Sequence, residues 1–139
     1  MYETEIYDYV KKLKISNFRG VRMSDELPSS SKFQECGILN FEAHNREGTH
    51  WVAWYKKGRE RIYFDSYAGL PPLSLVAYLK TDRERELDQA VIKRSMVTVQ
   101  RKPMECGALC LYVLFRLSRD PFPEILLDLK RRRTGPLIC

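Results

Sequence analysis

Long apolar runs, paired cysteines and histidines are all scarce in this 139-residue chain, and each scarcity removes a class of protein. No apolar stretch approaches the roughly 18 residues of a membrane span, and the N-terminal MYETEIYDYV has no basic stretch leading into an apolar one. The sequence therefore reads as soluble and not secreted, with no membrane partner. Of the four cysteines, Cys36 and Cys139 are isolated, while Cys106 and Cys110 stand one helical turn apart in an apolar stretch and form no CxxC pair. That pattern argues for a reduced intracellular protein over a disulfide scaffold. The two histidines, His44 and His50, stand at no ligand spacing from a cysteine pair, so no metal site is expected. Internal repeats and low-complexity tracts are absent as well.

What is present suits one globular domain spanning residues 1–139: 44% hydrophobic and 12% aromatic residues, without the low hydrophobicity of a disordered chain. A monomer is expected. The net charge of +6 and a pI near 9.2 arise largely from Lys130, Arg131, Arg132 and Arg133, with a second cluster at Lys11, Lys12 and Lys14. Basic patches attract polyanions through counterion release, which makes Lys130 to Arg133 candidate DNA contacts. The alternative is a solvated helix end whose cations sit favourably near its C-terminal dipole.

Periodicity predicts a short amphipathic helix over Glu3 to Leu13, with Ile6, Tyr9, Val10 and Leu13 on one face, and an irregular connection from Asn17 to Phe33. Three strands follow at Cys36 to Glu42, His50 to Lys56 and Arg61 to Tyr67, separated by HNREG and KKGRE and expected to form an antiparallel meander. Pro71-Pro72 opens a helix that continues through LSLVAYLK, and TDRERELDQA reads as its solvated continuation or a loop. SMVTVQ, Ser95 to Gln100, is predicted as a fourth strand. CGALCLYVLFRLSR is apolar on nearly all sides, the mark of a central buried helix, and EILLDLKRRR closes the chain as an amphipathic one. The fold class is α+β: an antiparallel or mixed sheet of four to five strands on a buried helix.

A two-residue turn at Lys57-Gly58 would set His50 directly opposite Asp65, an imidazole beside the carboxylate that fixes its tautomer. Cys106 follows a proline-containing loop and opens the buried helix, where the dipole and free amides favour a thiolate. Gln100, six residues earlier, offers an amide donor to an oxyanion together with the Cys106 N–H, and Gly107 lets a substrate backbone approach closely. Each residue alone has a plainer explanation: strand histidines are commonly structural, cysteines in apolar stretches are commonly buried, and Asp65 and Gln100 could simply end strands. Those explanations do not account for all four in one order.

GTHWVAWY, YFDSYAGLPP and Q-x5-CGALCLYVL together resemble the adenovirus protease (adenain) family and its Polinton/Maverick and adintovirus relatives, which share a core with SUMO-specific proteases. The resemblance runs from about Asn17 to Leu117, and FRGVRMSDELP with ECGILNFE is similar to the upstream signature of the transposon-type members. It implies a thiol protease with His50, Asp65 and Cys106 as triad, Gln100 in the oxyanion hole, and Trp51 and Gly107 at the substrate. It also implies virion precursor proteins as substrates, cut near glycine, in the host nucleus or the virion. The chemistry requires no cofactor, and DNA and an activating peptide enter only as the family's accessory factors. The loop after the acid departs from the relatives, with Ala68 where an aromatic-Gly pair is common. Two other functions stay open: a SUMO or ubiquitin-like-protein isopeptidase with the same core, and a non-catalytic basic domain that binds nucleic acid.

Overall fold

The computed structural model describes residues 2–41, 50–80, 92–101 and 105–131. Within them lie four helices, α1 (Glu3–Lys12), α2 (Leu73–Leu79), α3 (Cys106–Leu117) and α4 (Phe122–Arg131). Five strands, β1 (Phe18–Met23), β2 (Gln34–Phe41), β3 (His50–Lys57), β4 (Glu60–Phe64) and β5 (Lys93–Arg94), form one sheet in the order β1-β2-β3-β4-β5. The meander β2-β3-β4 is antiparallel, and β1 and β5 flank it, each parallel to its neighbour. The molecule is thus α+β with a mixed sheet. HNREG and TDRERELDQA lie outside the described residues.

Both faces of the sheet are covered, which is why β3 reads as a continuous apolar run and not as an alternation. On one face Ile38, Ala53, Ile62 and Phe64 pack on α3, whose residues from Cys106 to Leu114 are all buried, and Ile6 of α1 and Ile125 of α4 close the same core. On the other face Leu39, Val52, Trp54 and Tyr63 pack against Leu75, Tyr78 and Leu79 of α2. The apolar stripe of α2 therefore runs through Tyr78, with Val76 only half-buried.

Two predicted elements are corrected. Residues 18–23, read as part of an irregular connection, form the edge strand β1. Its sequence FRGVRM hides the strand because every residue is half-buried, and Gly20, at φ 104, takes up a register shift between Phe18 and Val21. The Tyr7 hydroxyl on α1 accepts the Val21 N–H at 2.9 Å and anchors the bulge. Conversely, Ser95 to Gln100 is not a strand. After the two pairs Ile62 with Lys93 and Tyr63 with Arg94, the amides of Val99 and Gln100 both converge on the carbonyl of Ser66, at 2.9 and 3.1 Å. Two donors on one carbonyl cannot extend a ladder, and Met96 and Val97 are left exposed.

A buried carboxylate joins the sheet to its edge. Glu35, 1% exposed, accepts the Trp54 indole N–H at 3.0 Å, the Arg19 guanidinium of β1 at 2.9 Å and the Lys32 amide at 2.7 Å. The Trp54 ring fills the space beside its cross-strand partner Gly37, where an added Cβ would stand 2.2 Å from the ring. Gly37→Ala should accordingly destabilise the fold by about 1–3 kcal/mol or more through overpacking, read as a lower urea midpoint at unchanged m-value.

Candidate active site

His50 is the first residue of β3 and is buried at 6% exposure; its Nε2 lies 2.8 Å from Asp65 Oδ1. The two meet by a different register from the expected one. The hairpin pairs Lys57 with Glu60 and Ala53 with Phe64, so the turn is Gly58-Arg59 and the ladder is displaced by two residues. Gly58, at φ 61, occupies the first central turn position, which a type II′ turn assigns to glycine. A displacement of two preserves the face of every side chain, so proximity survives although direct opposition does not. Tyr67 now stands where the ladder would continue opposite His50, and its ring lies 5.2 Å from the imidazole, tilted by 44°.

Asp65 reaches the histidine from a turn, since β4 ends at Phe64. The turn is tightly held. The Tyr67 amide donates to Asp65 Oδ1 at 2.8 Å and the Ala68 amide to the Asp65 carbonyl at 2.8 Å. The buried Ser95 hydroxyl donates to that carbonyl at 2.8 Å and accepts the Asp65 N–H at 3.2 Å. Ala68 sits at φ 61, a left-handed conformation unusual for alanine, and a Cβ on Gly69 would stand 2.6 Å from Asp65 Oδ2.

Cys106 opens α3 and is 5% exposed. Its sulfur is hydrogen-bonded to His50 and receives the backbone N–H groups of Trp51 and Gly107. Burial alone would raise the thiol, but the imidazole's hydrogen bond and charge, with the two amides, outweigh it and hold Cys106 below the ordinary cysteine value. For His50 burial works the other way, favouring the neutral ring. The hydrogen bonds to Asp65 and Cys106 and their charges overcome it and push the imidazole up to about 9. Both shifts favour a thiolate beside an imidazolium. The remaining described cysteines differ: burial, with Glu35 nearby, pushes Cys36 up to about 12, and complete burial raises Cys110 as well.

Gln100, half-buried, is brought back toward α3 by a short closure in which the Arg101 amide donates to the buried Glu105 carboxylate at 2.8 Å. The Trp51 side chain packs into the core at 6% exposure, so what it turns to the sulfur is its backbone; Gly107 is buried and does the same. Lys130 and Arg131 are exposed at the end of α4, well separated in sequence from the other candidates, while Arg132, Arg133 and Cys139 lie outside the described residues. Sequence reasoning missed Ser66, Tyr67, Gly69, Ser95 and Glu105. Only the run DSYAG carried a usable signal, a turn-rich string directly after a candidate acid. Among the described residues no three His, Cys, Asp or Glu side chains are grouped to hold a metal ion, and no helix is long and apolar enough to cross a membrane.

The architecture defines a class of fold: a mixed-sheet α+β unit with a cysteine at the start of its buried helix and a histidine on the adjoining strand. No family model matches the chain, and no curated protein matches it in sequence. Among solved structures, the ASFV pS273R protease matches with a TM-score of 0.58 at 18% identity, covering 96% of this chain and 62% of that one. A Se-Met structure of the same protease matches with a TM-score of 0.48 at 23% identity, over 73% of this chain and 40% of that one. AvrA delL154 with IP6 and CoA matches at 0.47 and 22%, over 81% and 46%. The chain spans less than two thirds of the length of the protease whose fold it shares.

Because Gly69 lies against the carboxylate, Gly69→Ala should displace Asp65 from His50. In an NMR titration the His50 ring would then move from about 9 back toward its ordinary 6.5. Ala68→Gly, which relieves a positive φ, should instead raise stability by about 1 kcal/mol in thermal unfolding.

Proposed function

We propose that the chain is a cysteine endopeptidase in which Cys106 is the nucleophile. One observation carries the reading: a single buried imidazole, His50, is hydrogen-bonded on one side to Asp65 and on the other to a cysteine at a helix N-terminus. The thiolate attacks the scissile carbonyl, and the oxyanion that forms is met by the Cys106 amide and the Gln100 carboxamide. His50, already protonated, gives its proton to the leaving amine, and Asp65 keeps the ring oriented for the transfer. Water, deprotonated by the now neutral His50, attacks the thioester carbonyl; the C–S bond breaks, the acid leaves and the thiolate–imidazolium pair is restored.

The fold of the pS273R protease supports this class of activity, and the sequence resemblance supports a finer version: precursor proteins of a virus or transposon, cut beside glycine. Steric access points the same way. Cys106 and His50 are nearly covered, at 5% and 6% exposure, so a residue next to the scissile carbonyl has little room for a side chain. A ubiquitin-like tail ending in glycine would meet the same restriction, and SUMO or ubiquitin conjugates form the second arm of the substrate assay beside precursor peptides.

Cys106→Ala and His50→Ala should each lower peptide cleavage by at least about 10³-fold, and Gln100→Ala by about 10²–10³-fold. Full activity in either of the first two overturns the mechanism. The rate should be bell-shaped in pH. Below the lowered Cys106 value the thiolate is lost; above about 9 His50 loses the proton that it must donate, so the alkaline limb falls there. Iodoacetamide at neutral pH should modify Cys106 ahead of Cys36 and Cys110, whose raised values keep them as thiols.

A further inference from the structure

Ser66, completely buried, sits between the acid and the segment that carries Gln100. Its carbonyl accepts the backbone amides of both Val99 and Gln100, at 2.9 and 3.1 Å, and its hydroxyl donates to Gln100 Oε1. One residue thus holds both the backbone and the side chain of Gln100. The side-chain contact has chemical meaning because a primary carboxamide has two unlike ends. Oε1 accepts and Nε2 donates, and the two diverge by about 120° from one carbon. With Oε1 on Ser66, the Nε2 end is the one turned elsewhere. In the flipped amide the buried hydroxyl would face a donor and its own O–H would lose its acceptor, which disfavours the flip.

We infer that Ser66 is a positioning residue that fixes the orientation of the Gln100 carboxamide, so that Nε2 and not Oε1 is the end presented to the oxyanion. The inference rests on the peptidase reading above and goes beyond it by making the turn after β4 serve both halves of the site. Asp65 orients the base, and the next residue orients the oxyanion donor. A carboxamide free to flip would present its oxygen to the developing negative charge for part of the time and repel it.

The test is a mutant cycle on the full chain, assayed on a peptide that the wild type cleaves. Ser66→Ala should lower kcat by about tenfold, a fraction of the loss for deleting an oxyanion donor. KM, the pH profile and the rate of Cys106 alkylation by iodoacetamide should stay at wild-type values, because the thiolate–imidazolium pair does not involve the hydroxyl. In a Gln100→Ala background the same substitution should cost nothing further. Ser66→Cys, similar in size with a weaker donor, should fall between wild type and Ser66→Ala, and carries the same comparison if the alanine variant fails to fold. Wild-type kcat in the serine variants, an equal loss with and without Gln100, or a parallel loss of alkylation rate overturns the inference while leaving the peptidase reading intact. A wild type that cleaves no peptide overturns both.

Discussion

An imidazolium buried between a carboxylate and a thiolate exists only while all three groups stay together. Burial penalises each charge separately: it favours the neutral ring for His50 and the protonated thiol for Cys106. What reverses both tendencies is mutual contact, His50 Nε2 on Asp65 Oδ1 at 2.8 Å and the ring against the sulfur. The rest of the structure can be understood as what it takes to hold three side chains from three separate elements at that separation. β3 supplies the ring, the turn after β4 the carboxylate and the first residue of α3 the sulfur.

The supports are mainly backbone groups. Asp65 is fixed by the amides of Tyr67 and Ala68 around it and by the Ser95 hydroxyl, which bonds to both sides of its peptide. Rigid geometry built this way has a conformational cost at Ala68, held at positive φ, and a steric condition at Gly69, where no side chain fits beside the carboxylate. The sheet beneath is equally constrained: Trp54 lies on Gly37 with its N–H on the buried Glu35, and that carboxylate also binds Arg19 of the edge strand.

Much of this was legible in the amino acids, and the failures have physical causes. The antiparallel meander and the central helix showed because aromatic, β-branched and apolar runs are dense there. The nearness of His50 and Asp65 was also legible, because an error of two residues in register leaves side chains on the same face. The turn itself was misplaced because GRE allows glycine to take either central position, and only the backbone twist decides. β1 was missed because its burial is partial at every position and Arg19 and Arg22 mask its apolar content. SMVTVQ misled for the opposite reason: it has strand composition, but beyond Phe64 no strand edge remains for it to pair with. The supporting hydroxyls of Ser66 and Ser95 could not be read at all, since a serine in a sequence looks the same whether it caps a turn or faces water.

The peptide of Trp51 touches the buried helix twice. Its N–H reaches the Cys106 sulfur, and its carbonyl accepts from Cys110 Sγ at 3.3 Å, one turn further along α3. These two contacts tie the start of β3 to the first turns of α3, the two elements that carry the imidazole and the sulfur. The turn of Asp65 and the segment of Gln100 lie outside that tie and are held instead to each other, through the Ser66 carbonyl that accepts the Val99 and Gln100 amides.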